Sequence, residues 1–117
     1  MEETEELLVL IDDIKEKDLL VLVEGIKDKK ALEKLGISNI MTLKKPLYAV
    51  VEQIAESFKE VVLLTDLDEE GKKLYHQLSK DLQKHKVKVN NELRKFLFKT
   101  KLRHIEGLAT YLNRDSN

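Results

Sequence analysis

Two runs constrain this chain more than anything else in it. Leu20-Val21-Leu22-Val23 ends in Glu24-Gly25, and Val61-Val62-Leu63-Leu64 leads through Thr65 into Asp66-Leu67-Asp68-Glu69-Glu70-Gly71. Neither run alternates apolar with polar residues, so each predicts a strand covered on both faces, as in a parallel sheet flanked by helices. Each also ends in acid and then glycine, and in parallel α/β sheets ligands bind at the carboxyl ends of strands. Carboxylates gathered there repel one another, and a divalent cation relieves the repulsion. The pattern points to magnesium, with manganese as its substitute, acting on phosphates.

The remaining segments supply the helices such a sheet needs. Residues 3–17 place Leu7, Leu8, Leu10, Ile11 and Ile14 at helical spacing, which predicts an amphipathic N-terminal helix. Asp28 is expected to N-cap a short helix over 29–35 that Gly36 ends. Residues 37–43 read as a second strand, less apolar and so nearer an edge, and Pro46 opens a helix running to about Phe58. A third strand at 61–65 leads into a helix over 69–84, with Leu74, Leu78 and Leu82 four apart. A short strand at 87–89, a helical stretch at 91–98, a last helix around 105–112 and a frayed end at Asn113–Asn117 complete the chain. The alternation predicts one α/β domain over 1–117, with about four mostly parallel strands and a core at about 19–90. Right-handed crossovers would bring the ends of the first and third strands to one edge, setting Glu24 against Asp66 and Asp68.

Composition narrows the function. The absence of cysteine excludes disulfides and thiolate zinc sites. No apolar run reaches the length of a membrane span and the acidic start lacks a signal peptide's basic residues, so a cytoplasmic protein without a membrane partner is expected. The many Lys and Glu residues fit a thermophilic source. A net charge of −1 conceals a strong asymmetry: residues 1–18 carry eight acids against Lys15 and Lys17, while residues 84–104 carry eight bases against Glu92. The basic segment, extending to about residue 112, is either a phosphate-facing surface or a solvated face. Pairing of the acidic helix with that segment in another copy would make a homodimer.

The paired motifs Glu24-Gly25-Ile26-Lys27-Asp28 and Asp66-Leu67-Asp68-Glu69-Glu70-Gly71, each after a buried strand, resemble the Toprim domain of topoisomerases, primases and some repair nucleases. The chain looks like the small stand-alone Toprim proteins, including those of archaea, and is similar to the Toprim half of the bacterial ribonuclease that matures 5S ribosomal RNA. The resemblance implies a Rossmann-like Toprim fold and a magnesium site at Glu24, Asp66 and Asp68. It also assigns Glu24 the acid–base role in strand cleavage. Topoisomerase and primase domains are not expected beside it. Tyr48, Tyr75 and Tyr111 lack the context of a topoisomerase nucleophile, and no phosphate loop or dinucleotide fingerprint occurs.

Position by position, the chemistry agrees. Asp66 and Asp68 alternate along extended backbone and so project together, able to share one hard cation, whether one ion or two are held. Either acid would also serve as a helix N-cap. Gly25 and Gly71 would let a phosphate approach the backbone, or would be turn glycines. Asp28 needs no role beyond capping, Glu69 and Glu70 suit a helix first turn, and His76 and His85 read as solvated. Lys27, Lys72, Lys95, Lys99, Lys101 and Arg103 are candidate nucleic-acid contacts, with His104 a donor beside Arg103 or an exposed residue at a helix start. Two functions follow: a magnesium-dependent nuclease acting on nucleic acid, with structured RNA favoured over DNA and ribosomal-RNA processing as the type, or an RNA- or ribonucleoprotein-binding module that does not cleave.

Overall fold

The computed structural model describes the backbone of residues 2–116 and the side chains of residues 2–113. Strands β1 (Leu20–Val23), β2 (Ile40–Thr42), β3 (Glu60–Leu63) and β4 (Lys88–Asn90) form one sheet in the order β2-β1-β3-β4, with every neighbouring pair parallel. Around it lie α1 (Glu3–Glu16), α2 (Ile26–Glu33), α3 (Leu47–Ser57), α4 (Glu69–Lys84) and α5 (Glu92–Leu97), then a 3-10 turn (Ile105–Gly107) that runs into α6 (Leu108–Ser116).

The two apolar runs do what their composition demands. Leu20, Leu22, Val61 and Leu63 enter one core with Val50, Val51 and Ile54 of α3 and Leu78 and Leu82 of α4. Val21, Val23, Val62 and Leu64 enter the other, with α1, α2, α5 and the C-terminal turn. Successive strand residues point to opposite faces, so a strand with no polar position fills two cores at once. Leu22 and Leu63 are both fully buried, and truncating either to Ala would cost about 2–5 kcal/mol.

Several boundaries differ from the sequence reading, and one matters for the site. Helix α2 begins at Ile26 with Gly25 as its N-cap, not after Asp28. Asp28 lies inside the first turn, where its carboxylate accepts from the Gly25 N–H at 2.9 Å. The capping bond forms backwards from within the helix, so the turn starts directly after Glu24. Gly36 does end the segment, at φ 89°, where a side chain would be strained. Strand β2 is shorter than 37–43 and is the edge strand beside β1. The expected last helix divides into the 3-10 turn and α6, which continues through 113–116 where fraying was expected; Asn117 lies outside the described residues. Among the described residues no helix is long and apolar enough to cross a membrane.

Candidate metal centre

Because β1 and β3 are adjacent and parallel, the segments that follow them meet at one edge of the sheet. There Glu24 Oε2 accepts a 2.7 Å hydrogen bond from the Asp66 backbone N–H, joining residues 42 apart in sequence. Burial pushes the Glu24 carboxyl above its ordinary value; the Asp66 N–H opposes this, and the charges of Asp66, Asp28 and Asp68 add to it. Burial likewise raises Asp28, against the bond from Gly25.

The two aspartates are held by similar means. Leu67 between them is buried at 2% exposure, which turns Asp66 and Asp68 to the opposite, outer side. Asp66 Oδ1 accepts from the Ile105 N–H at 2.8 Å. Asp68 is the N-cap of α4, its Oδ1 accepting from the Gly71 N–H at 2.8 Å. The capping role weighed from the sequence is therefore real for Asp68, but it occupies a single oxygen. The Oδ2 atoms of both acids stand near His104 Nδ1, at 3.7 Å for Asp66 and 3.8 Å for Asp68. One ligand atom from each of Asp66, Asp68 and His104 lies within 4.8 Å of the others. Two carboxylate oxygens and one imidazole nitrogen fit a divalent cation by donor chemistry. Glu24 is not a member of that trio; it is tied to it through the Asp66 backbone.

His104 arrives from the far end of the chain, and two contacts fix it. The Leu67 N–H donates to the Arg103 carbonyl at 2.9 Å, and the Ile105 N–H donates to Asp66 Oδ1. Ile105 itself is fully buried and anchors the segment in the core.

Two residues that sequence reasoning did not single out shape the loop. Arg94 is buried at 5% exposure, and its Nε donates to the Thr65 carbonyl at 3.2 Å while one Nη donates to the Asp66 carbonyl at 3.0 Å. The guanidinium lies over the rings of Tyr75 and Phe98, with ring centres 4.4 and 4.9 Å away. Burial pulls its affinity for the proton down, with Tyr75, Glu24 and Asp66 opposing. Thr65, also buried, donates its hydroxyl to the Gly71 carbonyl at 2.8 Å. The available signal for Arg94 was its place among Leu93, Phe96 and Leu97, where a cation needs buried partners.

The two motif glycines have different causes. A Cβ on Gly71 would lie 2.0 Å from the Asp66 carbonyl oxygen, so α4 packs on the acid loop only with glycine there. The requirement is internal packing, not the approach of a phosphate. A Cβ on Gly25 would meet nothing within 4 Å, which leaves the space beside Glu24 open to a ligand.

The basic residues 84–104 do not form one surface. Lys84 closes α4 and Lys88 opens β4, at the edge opposite the acids, and Arg94 is internal. Lys95 and Lys99 line a groove with Leu10 of α1. Helix α1 packs on α5 of the same chain, while the ion pairs Lys15–Asp12 and Lys17–Asp13 lie within α1 itself. Lys72 pairs with Glu69 at 3.4 Å. Arg103 turns its guanidinium onto the Thr100 and Leu102 carbonyls, at 2.9 and 2.7 Å. Lys27 lines a depression of about 430 Å³ with Lys30, Lys34 and Glu106, and Lys101 lines the adjoining one, the two meeting at Gly107 and Thr110.

A four-stranded parallel sheet with two aspartates and a histidine able to hold a cation where β1 and β3 end places the protein among the α/β proteins whose ligand sites lie at the carboxyl ends of the strands. The chain belongs to the Toprim domain family, whose pattern matches residues 18–91. It is 33% identical to a UPF0292 protein of Methanocaldococcus jannaschii over 94% of this chain and 92% of that one. A UPF0292 protein of Pyrococcus abyssi is 36% identical over 89% of this chain and 80% of its own length. A solved structure from Aquifex aeolicus superposes with a TM-score of 0.78 at 32% identity, covering 87% of this chain and 94% of that one.

Proposed function

We propose that this protein is a divalent-cation-dependent phosphodiester enzyme acting on structured RNA, of the ribosomal-RNA maturation type. The observation that carries the reading is the hydrogen bond from the Asp66 N–H to Glu24, which sets a carboxylate of raised proton affinity beside the acids of the cation site. Asp66 and Asp68, with His104 beside them, would hold the ion. The bound cation supplies charge neutralisation and polarisation of the scissile phosphate. Glu24 takes the proton of the attacking water as its oxygen bonds to phosphorus. The bond from phosphorus to the leaving oxygen breaks, and that oxygen takes a proton from solvent. Lys27 and Lys101 grip the flanking backbone, and open space at Gly25 admits the phosphate.

One observation favours the alternative, an RNA-binding module that does not cleave: the basic depression at Lys27, Lys30 and Lys34 is lined by none of Glu24, Asp66 and Asp68. A single experiment separates the two. Structured RNA and DNA are incubated with and without magnesium, using wild type and Asp66→Asn. Asparagine keeps an oxygen for the Ile105 N–H, so the fold survives while the charge is lost. Magnesium-dependent cleavage by wild type that falls by about 100-fold or more in the variant is expected, on the scale of losing one electrostatic catalytic group. RNA binding without cleavage in either protein establishes the module, and equal cleavage by both removes Asp66 from the reaction.

A further inference from the structure

We propose that His104 is a nitrogen donor to the cation, making this a site that selects a first-row transition ion such as Mn2+ over Mg2+. The inference rests on the cation-site reading above and goes beyond it by naming a ligand and a metal preference. Residue 104 lies outside the segment 18–91 that matches the Toprim domain. The nitrogen therefore comes from the C-terminal segment of this chain and not from the domain's acidic motifs.

Three observations converge. First, each aspartate has Oδ1 bound by a backbone N–H, at 2.8 Å in both cases, which leaves the Oδ2 atoms as the ones turned toward His104. Second, Nδ1 is nearly equidistant from them, at 3.7 and 3.8 Å. These separations are too long for hydrogen bonds. Ligands on an octahedral ion with bonds near 2.1 Å stand about 3 Å apart when adjacent and about 4 Å apart when opposite, so small side-chain rotations place a shared ion among all three. Third, the histidine is clamped on both sides by the Leu67–Arg103 and Ile105–Asp66 contacts, while its side chain remains 59% exposed. These bonds fix the backbone from which the imidazole extends, the support a metal ligand requires.

The metal preference follows from donor type. Magnesium is a hard ion that takes oxygen donors and dehydrates reluctantly, whereas imidazole suits Zn, Cu, Fe and Ni ions, and Mn2+, which shares magnesium's taste for carboxylates, accepts a nitrogen donor more readily than magnesium does. Two carboxylate oxygens and one nitrogen leave about three positions of an octahedral ion for water and a substrate phosphate oxygen.

The test uses the full chain with Mn2+ as a paramagnetic probe and Mg2+ as its competitor. Pulsed EPR of the Mn2+ complex should show modulation from a directly bound imidazole nitrogen, and His104→Ala should abolish it. Titration calorimetry should show Mn2+ affinity falling about tenfold in the variant, a typical size for loss of a supporting group at a metal site, while Mg2+ affinity changes less than about threefold. If Mn2+ binds wild type in a manner that Asp66→Asn abolishes, yet no nitrogen modulation appears, the histidine inference fails and the cation site stands. If Mn2+ binding is absent or indifferent to Asp66→Asn, both fail. Equal losses of Mn2+ and Mg2+ affinity in His104→Ala overturn the selectivity. The wild-type spectrum alone decides ligation, whatever the variant's folding.

Discussion

At the scale of the residue, the acid loop is held by side chains and backbone contacts that look ordinary in isolation. Gly71 has the firmest requirement, since the Asp66 carbonyl occupies the place of a Cβ and main chain yields less readily than a flexible side chain. Gly71→Ala should lower the unfolding free energy by about 3 kcal/mol, the upper range of overpacking costs, as measured by urea unfolding. Gly25→Ala, with open space at the same atom, should lose about 1 kcal/mol or less while weakening any ligand that approaches Glu24. Equal losses at the two positions would contradict the different roles assigned to them. Arg94 acts at the same scale by another route. Its guanidinium satisfies the Thr65 and Asp66 carbonyls inside the core, and its charge offsets nearby acids without projecting into the site. It is a positioning residue, and its charge, counted from the sequence in the basic segment 84–104, is buried and not at the surface.

Among the elements, the main lesson concerns charge. A basic stretch contiguous in sequence is divided because α4 ends and β4 begins at one edge of the sheet while the acids lie at the other. Two bases from distant places in the chain, Lys27 at the start of α2 and Lys101 before the 3-10 turn, line adjoining depressions. Reversing both (Lys27→Glu with Lys101→Glu) should weaken RNA binding and reduce the slope of log affinity against log salt by roughly 2, about one unit for each phosphate no longer neutralised. The same reversal at Lys84 and Lys88 should leave affinity and slope within error. Filter binding across a salt series checks both, and identical behaviour of the two pairs would remove the proposed track.

For the whole molecule, the proposed cation site and the fold are linked, because Asp66, Asp68 and His104 meet only when β1, β3 and the C-terminal turn are all in place. A ligand that binds only the folded state stabilises it, by about 2.7 kcal/mol at a hundredfold excess over Kd. For a domain of this size that corresponds to a rise in Tm of roughly 10 °C or more. Calorimetric scans with magnesium or manganese should show this rise in wild type and lose it in Asp66→Asn. A transition indifferent to both ions would argue against a cation at this edge.

Much of this architecture was legible in the sequence alone. Runs without polar positions, alternating with helical periods, determined a parallel α/β sheet, and the handedness of crossovers brought Glu24 to Asp66 and Asp68. Those are consequences of local periodicity and chain chirality, which any reader of the residues can apply. The tertiary structure decided the rest: that His104 stands 3.7 Å from Asp66, that Arg94 faces inward, that Gly71 answers to a carbonyl and that the basic segment is split. Each of these depends on which residues far apart in the chain come to touch, or on which edge of the sheet a loop reaches. Such pairings have no period and leave no local mark, so they emerge only when the chain is packed.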